Sequence, residues 1–315
     1  MRSPARCGAL DMLCTAARRG RCAVFEGFEK VRIETSGAVI NAVRAGKGDP
    51  LLLLHGYPQT LAMWHLVAPR LAEHFTVVAA DLRGYGGSSK PEGGANHSGY
   101  SKRAMAQDQV EMMQRLGFEQ FFLAGHDRGG RVGHRMVLDH PERVKKLAVL
   151  DIVPTRTMFA QVNQYLATVY YHWFFLIQPF DLPERMIGAD AEFFLRNFFS
   201  RLGAGALAPE AVAEYVRAFR DPAVIHASCE DYRAAASIDL EHDAADLSAK
   251  VACPLLVLWG AKGRIAQMFD VLATWRERAS DVRGRALPCG HYVPEEAPEE
   301  TLKELLGFFR GIRPP

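Results

Sequence analysis

The chain has 315 residues, 49% of them apolar, with 38 Lys and Arg against 36 Asp and Glu and a formal charge of +2. That is enough apolar side chain for a sizeable core, in one large domain or two ordinary ones. So even a charge balance, without a block of like sign, argues against a nucleic-acid or membrane partner, and no apolar run reaches the ~18 residues of a membrane helix.

Residues 1–25 stand apart. MRSPARCGALDMLCTAARRGRC is Arg-rich, has Asp11 as its only acid and lacks the apolar stretch of a secretory signal. The expectation is a disordered extension, or an upstream start with Met12 initiating. A transit peptide is the weaker alternative. Six cysteines, at 7, 14, 22, 229, 253 and 289, show no CxxC or His/Cys ligand spacing. Neither a metal site nor a cofactor is expected, and free thiols point to a reducing compartment, the cytoplasm.

From Val31 the pattern alternates. VRIET and AVINAV read as antiparallel strands around Ser36-Gly37. LLLLH (51–55) is the continuous apolar run of a strand buried on both faces, and an amphipathic segment follows to Glu73. Then come a strand at 76–81, a helix near 102–116, a strand at 121–125, a helix from Arg128 and a strand at 146–151. Such alternation predicts a mostly parallel sheet with helices on both faces. Residues 154–248 contain no convincing strand and are rich in aromatics and helix formers: an all-helical lid. The sheet resumes with PLLVLWG (254–260), a helix near 266–278, a last strand around 283–288 and a closing helix near 299–310. This gives an eight-stranded core, 26–153 and 249–315, whose strand ends form the crevice beneath the lid.

LAGHDRGGRVGHR (123–135) follows one of these strands and opens a helix. Small–x–nucleophile–x–small at that place is the strand-to-helix elbow of a hydrolase, here with Asp127 where serine is usual. Asp151 follows the next strand and His291 the last one, giving the chain order nucleophile, acid, histidine. The loop after the seventh strand, WGAKGRIAQ, holds no carboxylate, which leaves Asp151 as the acid. Each residue alone has a plainer reading: helix cap for Asp127 and Asp151, surface decoration for His291. Together, in order and each at a strand exit, they argue for a triad.

The nucleophile selects the chemistry. A carboxylate is ionised at pH 7 but would give a high-energy anhydride with an ester or amide. It suits displacement at saturated carbon, giving an alkyl-enzyme ester. His291 would activate water against that ester, Asp151 would orient His291, and the backbone N–H groups of Tyr57, in HGYP, and Arg128 would receive the oxyanion. Arg128 and Arg131 lie one helical turn apart beside Asp127. They could simply neutralise Asp127 or pair with lid acids. Two buried cations beside one carboxylate would otherwise leave positive charge unpaired, and a substrate carboxylate would supply the partner.

These residues lie within longer strings: LLLLHGYPQT, DLRGYG, YSKRAMA, AGHDRGGRV, KLAVLDIVPT, YYHWFFLIQP, EDYRA and GHYVPEEAP. On them the chain, from Phe25 to Phe309, resembles the fluoroacetate (haloacetate) dehalogenases of the α/β-hydrolase fold. The resemblance implies Asp127 as nucleophile, Asp151 as acid, His291 as base, Arg128 and Arg131 as carboxylate clamp, and His172, Trp173 and Tyr232 as halide cradle. It also implies a homodimer and hydrolysis of a haloacetate to glycolate and halide. Where many members carry a phenylalanine after HG, this chain has Tyr57, and FFSRL (198–202) stands where a further lid tryptophan is expected.

Two other readings compete. An epoxide hydrolase uses the same Asp–His–acid set with lid tyrosines, of which Tyr165, Tyr170, Tyr171, Tyr215 and Tyr232 are available. The paired arginines argue against a neutral epoxide. A non-catalytic receptor on the same scaffold would be expected to lose a triad member.

Overall fold

The computed structural model describes residues 24–203, 205 and 207–311. Most of the Arg-rich extension, with Cys7, Cys14 and Cys22, lies outside them. The eight strands are β1 (Glu29–Glu34), β2 (Val39–Ala45), β3 (Pro50–Leu54), β4 (Thr76–Ala80), β5 (Phe121–His126), β6 (Val144–Leu150), β7 (Leu255–Gly260) and β8 (Val282–Leu287). They form one sheet in the order β1-β2-β4-β3-β5-β6-β7-β8. The β1–β2 and β2–β4 pairs are antiparallel and all others parallel. The central strands are buried on both faces, as their unbroken apolar runs require.

The helices of the first half are α1 (Ala68–Leu71), α2 (Lys102–Arg115) and α3 (Arg128–Asp139). The segment to Glu73 is less regular than its amphipathic pattern suggests: a 3-10 turn at Leu61–Trp64 and the single turn of α1. Pro69 suits the first turn of a helix but not a helix interior. Between β6 and β7 lie α4 (Thr155–Ala160), α5 (Gln164–Val169), α6 (Tyr171–Phe175), α7 (Leu182–Ala189), α8 (Ala191–Leu202), α9 (Pro209–Phe219), α10 (Pro222–Ala236) and α11 (Ile238–Ala245). The side chains of Asn163, Asp190 and Asp221 cap three of these helices, satisfying backbone donors that a helix start leaves open.

After β7 the single helix expected over 266–278 is two, α12 (Arg264–Met268) and α13 (Val271–Arg276). Phe269 is extended, and Asp270 accepts from the Ala273 N–H to start the second. An N-cap aspartate inside an apolar-periodic segment is the signal that divides it. Then α14 (Val293–Glu296) and α15 (Pro298–Phe309) close the chain.

The strand order reverses around β3, between β4 and β5. The crevice at the carboxyl ends of β3 and β5 is where an open α/β sheet places its ligands.

Candidate active site

The turn from β5 into α3 is tight because its glycines have no Cβ. A Cβ on Gly125 would meet the Gly129 carbonyl oxygen at 2.4 Å, and one on Gly129 would meet the His55 carbonyl oxygen at 2.5 Å. Asp127, between them, has φ +42°, ψ −113°, a conformation that costs a non-glycine residue on the order of 1–3 kcal/mol. Its carboxylate does not cap α3; it accepts instead from the Tyr57 backbone N–H, Oδ2 to N 3.0 Å. Gly56 makes that approach possible, since a Cβ there would stand 2.6 Å from the Asp127 Cβ. The Arg128 N–H is the first of α3, a position with no carbonyl partner inside the helix.

Asp151, at the end of β6, also has positive φ, +52°. Its Oδ1 accepts from the Gly260 N–H at 3.0 Å, and its Oδ2 lies 2.6 Å from His291 Nδ1. The pair fixes the ring so that Nε2 faces away from Asp151. Burial opposes a proton on His291, but the bond and charge of Asp151, then the charges of Asp127 and Glu296, outweigh it and raise its pKa. For Asp127 burial again opposes the charge, and His291, Arg131, His126 and Arg128 reverse the balance and lower its pKa. Asp127, Asp151 and His291 line one cavity.

The two arginines are not equivalent. Arg128 is wholly buried and makes a fork with Asp231 of α10: Nε to Oδ2 2.9 Å and Nη2 to Oδ1 2.6 Å, with a third bond to the Asp231 carbonyl at 2.8 Å. Asp231 also accepts from Lys102 Nζ and from the Tyr85 hydroxyl at 2.7 Å. Of the two pairings the sequence leaves open for Arg128, the one with an acid of the helical insert is realised; its Nη1 is buried without a partner among the described residues. Arg131 has no carboxylate partner among the described residues. Its Nη1 donates to the Val153 carbonyl at 2.9 Å and to Thr155 Oγ1 at 3.1 Å, and its Nε is buried without a partner among the described residues. Burial, opposed by Asp127, pulls its pKa down to about 10. Arg131 lines the cavity, beside Asp127.

The insert closes the cavity from above with Met158, Tyr170, His172, Trp173, Phe198 and Leu202. Ile265 of α12 completes its side. His172 and Trp173 therefore share a chamber with Asp127, and Tyr232 packs edge-on to both at 5.8 Å between ring centroids. Burial pulls the His172 pKa down to about 3, so the ring is neutral. The aromatic rings also floor the cations: the Arg131 guanidinium lies 4.6 Å over Trp173 and that of Arg128 4.2 Å over Tyr232. Tyr57 sits behind, its ring 5.2 Å from both Tyr232 and Phe198 and its buried hydroxyl without a partner among the described residues.

Sequence reasoning passed over Asp231 and Lys102, although each stands inside a quoted string, EDYRA and YSKRAMA. Their signal is a charged residue inside an otherwise apolar helical face, which is stable only if paired. The described cysteines, Cys229, Cys253 and Cys289, are free, and burial pushes the Cys289 thiol up to about 12.

Residues 49–298 match the family described as alpha/beta hydrolase fold. The chain is 50% identical over 293 residues to a fluoroacetate dehalogenase of Burkholderia sp, covering 92% of this chain and 96% of that one. It is 35% identical over 284 residues to a soluble epoxide hydrolase of Corynebacterium sp. (strain C12), covering 88% and 96%. The crystal structure of a Nostoc sp PCC 7120 protein described as an α/β hydrolase superposes with a TM-score of 0.89 at 61% identity, over 90% of this chain and 98% of that one. The chain thus belongs to the α/β-hydrolase fold family, as a hydrolase half of whose aligned residues are those of a fluoroacetate dehalogenase.

Proposed function

We propose that the protein hydrolyses a haloacetate to glycolate and halide through an ester on Asp127. The observation that carries this reading is a buried guanidinium without a carboxylate partner among the described residues, Arg131, lining the same cavity as the carboxylate of Asp127. A small acid bound there would bring the missing negative charge, and Arg131 would hold it with the carbon bearing the halogen turned to Asp127. The half-identical fluoroacetate dehalogenase supports the same choice.

In the first step an Asp127 oxygen attacks that carbon and the carbon–halogen electron pair leaves with the halide. His172, Trp173 and Tyr232 offer N–H and O–H donors to the departing anion, bonds that strengthen as its charge develops. In the second step His291 Nε2 takes a proton from water, whose oxygen attacks the ester carbonyl carbon. The former Asp127 Oδ2 becomes the oxyanion, facing the Tyr57 N–H that it already accepts from. Collapse expels the glycolate oxygen, which takes the proton from His291. The sum is haloacetate plus water giving glycolate, halide and one proton. The helical insert acts as the lid, and a cytoplasmic homodimer belongs to the same reading.

The test is His291→Asn incubated with chloroacetate or fluoroacetate. The trapped ester adds the mass of a carboxymethyl group to the intact protein, and an unmodified protein after long incubation defeats the mechanism. The Corynebacterium relative and the cavity-lining Tyr170 favour a second reading, epoxide opening; diol formation from styrene oxide without halide release from haloacetates would select it.

A further inference from the structure

The loop that carries the Tyr57 N–H is a turn from Gly56 to Gln59, closed by the Gln59 N–H on the Gly56 carbonyl at 2.9 Å. The side chain at its far end, Gln59, is fully buried and donates through Nε2 to Glu295 Oε2. Glu295 belongs to α14, directly after the loop that carries His291, and its Oε1 accepts from the Tyr215 hydroxyl of α9 at 3.0 Å. The next residue, Glu296, accepts from the backbone N–H groups on either side of His291, Gly290 at 2.8 Å and Tyr292 at 3.0 Å. Two adjacent glutamates thus hold the histidine loop from within and tie it outward to the nucleophile's backbone donor and to the helical insert.

From this geometry we infer that Glu295 is a positioning residue for the oxyanion donor: through Gln59 it sets the Tyr57 N–H against Asp127 Oδ2, in register with the His291 loop. The inference rests on the two-step reading above. It has a kinetic signature, because the Tyr57 N–H gains most when the ester carbonyl becomes an oxyanion. Loss of the brace slows ester hydrolysis more than ester formation.

The brace works as a neutral acid. Burial, with the charge of Glu296 adding to it and Tyr215 and Gln59 opposing it, pushes the Glu295 carboxyl up to about 8. Among the described residues no Lys, Arg or His pairs with it. A neutral carboxyl has one proton to donate, and the Tyr215 hydroxyl, 3.0 Å from Oε1, accepts it while Oε2 still accepts from Gln59 Nε2. A glutamine at 295 offers the same pair of one donor and one acceptor, so the conservative variant keeps the brace.

The experiment is rapid quench of the full-length protein with chloroacetate, reading ester by intact mass and glycolate by release. Glu295→Ala accumulates ester, with hydrolysis slower by about tenfold, a part of the 10²–10³ that loss of a whole oxyanion donor costs, and with alkylation within about threefold of wild type. Glu295→Gln returns both steps to within about threefold. Gln59→Leu cuts the same brace from the other side and accumulates ester in the same way, which keeps the test available if Glu295→Ala does not fold. Equal slowing of both steps without ester accumulation, or unchanged kinetics in both truncations, overturns the inference; a Glu295→Gln variant as slow as Glu295→Ala does so for the neutral form. Failure of His291→Asn to form ester overturns the two-step reading itself and is scored separately.

Discussion

Arg128 and Asp231 form a fork-to-fork ion pair that is inaccessible to solvent on both sides, one partner on the elbow between β5 and α3 and the other on the helical insert. This pair leaves Arg131 as the cation of the elbow without a carboxylate partner of its own among the described residues. Its substitution separates function from stability. Arg131→Leu loses about 10² in kcat/KM on haloacetates, the worth of two charge-assisted hydrogen bonds at roughly 1.5 kcal/mol each, while its melting temperature moves by a few degrees. Arg128→Met reverses the order, losing about 3 kcal/mol because Asp231 stays buried with Lys102 as its remaining cation. Steady-state kinetics and denaturant melts on the two variants check this, and equal activity in Arg131→Leu sinks the clamp.

The charge of Asp127 helps to hold the His291 pKa up. In the proposed mechanism esterification removes that charge, so the first step releases the base that the second step needs. Asp127→Asn imitates the uncharged ester side chain. By NMR its His291 titrates at lower pH than in wild type; an unchanged midpoint means that Asp151 alone governs the ring.

Trp173 has two duties in the proposed mechanism, an N–H toward the halide and a face under Arg131. Trp173→Phe keeps an aromatic face and removes the donor. We expect KM to change little, kcat on fluoroacetate to fall by about 10-fold or more, and kcat on bromoacetate to fall less, since fluoride is the poorest leaving group and depends most on hydrogen bonds that form as charge develops. Electrode measurement of each halide decides it, and equal losses for both halides count against the cradle.

Burial by itself would raise the Asp231 pKa; Arg128 and Lys102 more than reverse that and hold it well below the usual carboxylate range. A depressed carboxylate contributes stability that is fully present above its unfolded value, roughly 4, and is lost as pH falls through the folded value beneath it. Asp231→Asn is therefore less stable than wild type by a constant margin from pH 7 down to about 5, and the margin narrows below pH 4. Denaturant midpoints over that range measure it; a margin that widens on acidification refutes the assignment.

The fold was legible because its signals are local. The apolar run LLLLH marked a strand buried on both faces, and the small residues around Asp127 marked the elbow after β5. Chain order alone set Asp127, Asp151 and His291 at strand exits, and the structure brings them to one cavity. What stayed hidden depends on long-range pairing. Asp231 meets Arg128 across 103 residues and Gln59 meets Glu295 across 236, and no periodicity encodes such a partnership. The break between α12 and α13 was missed for a smaller reason: Asp270 lies in an apolar-periodic segment, and its capping bond outweighs the continuity of the pattern.

Because residue 231 sits on the insert and residue 128 on the core, the two parts of the chain are not interchangeable modules. Grafting the insert of a relative onto this scaffold to change its substrate range would strand a guanidinium in the interior unless the donor helix brought its own acid to that site. Successful chimeras should therefore exchange positions 102, 128 and 231 as a set.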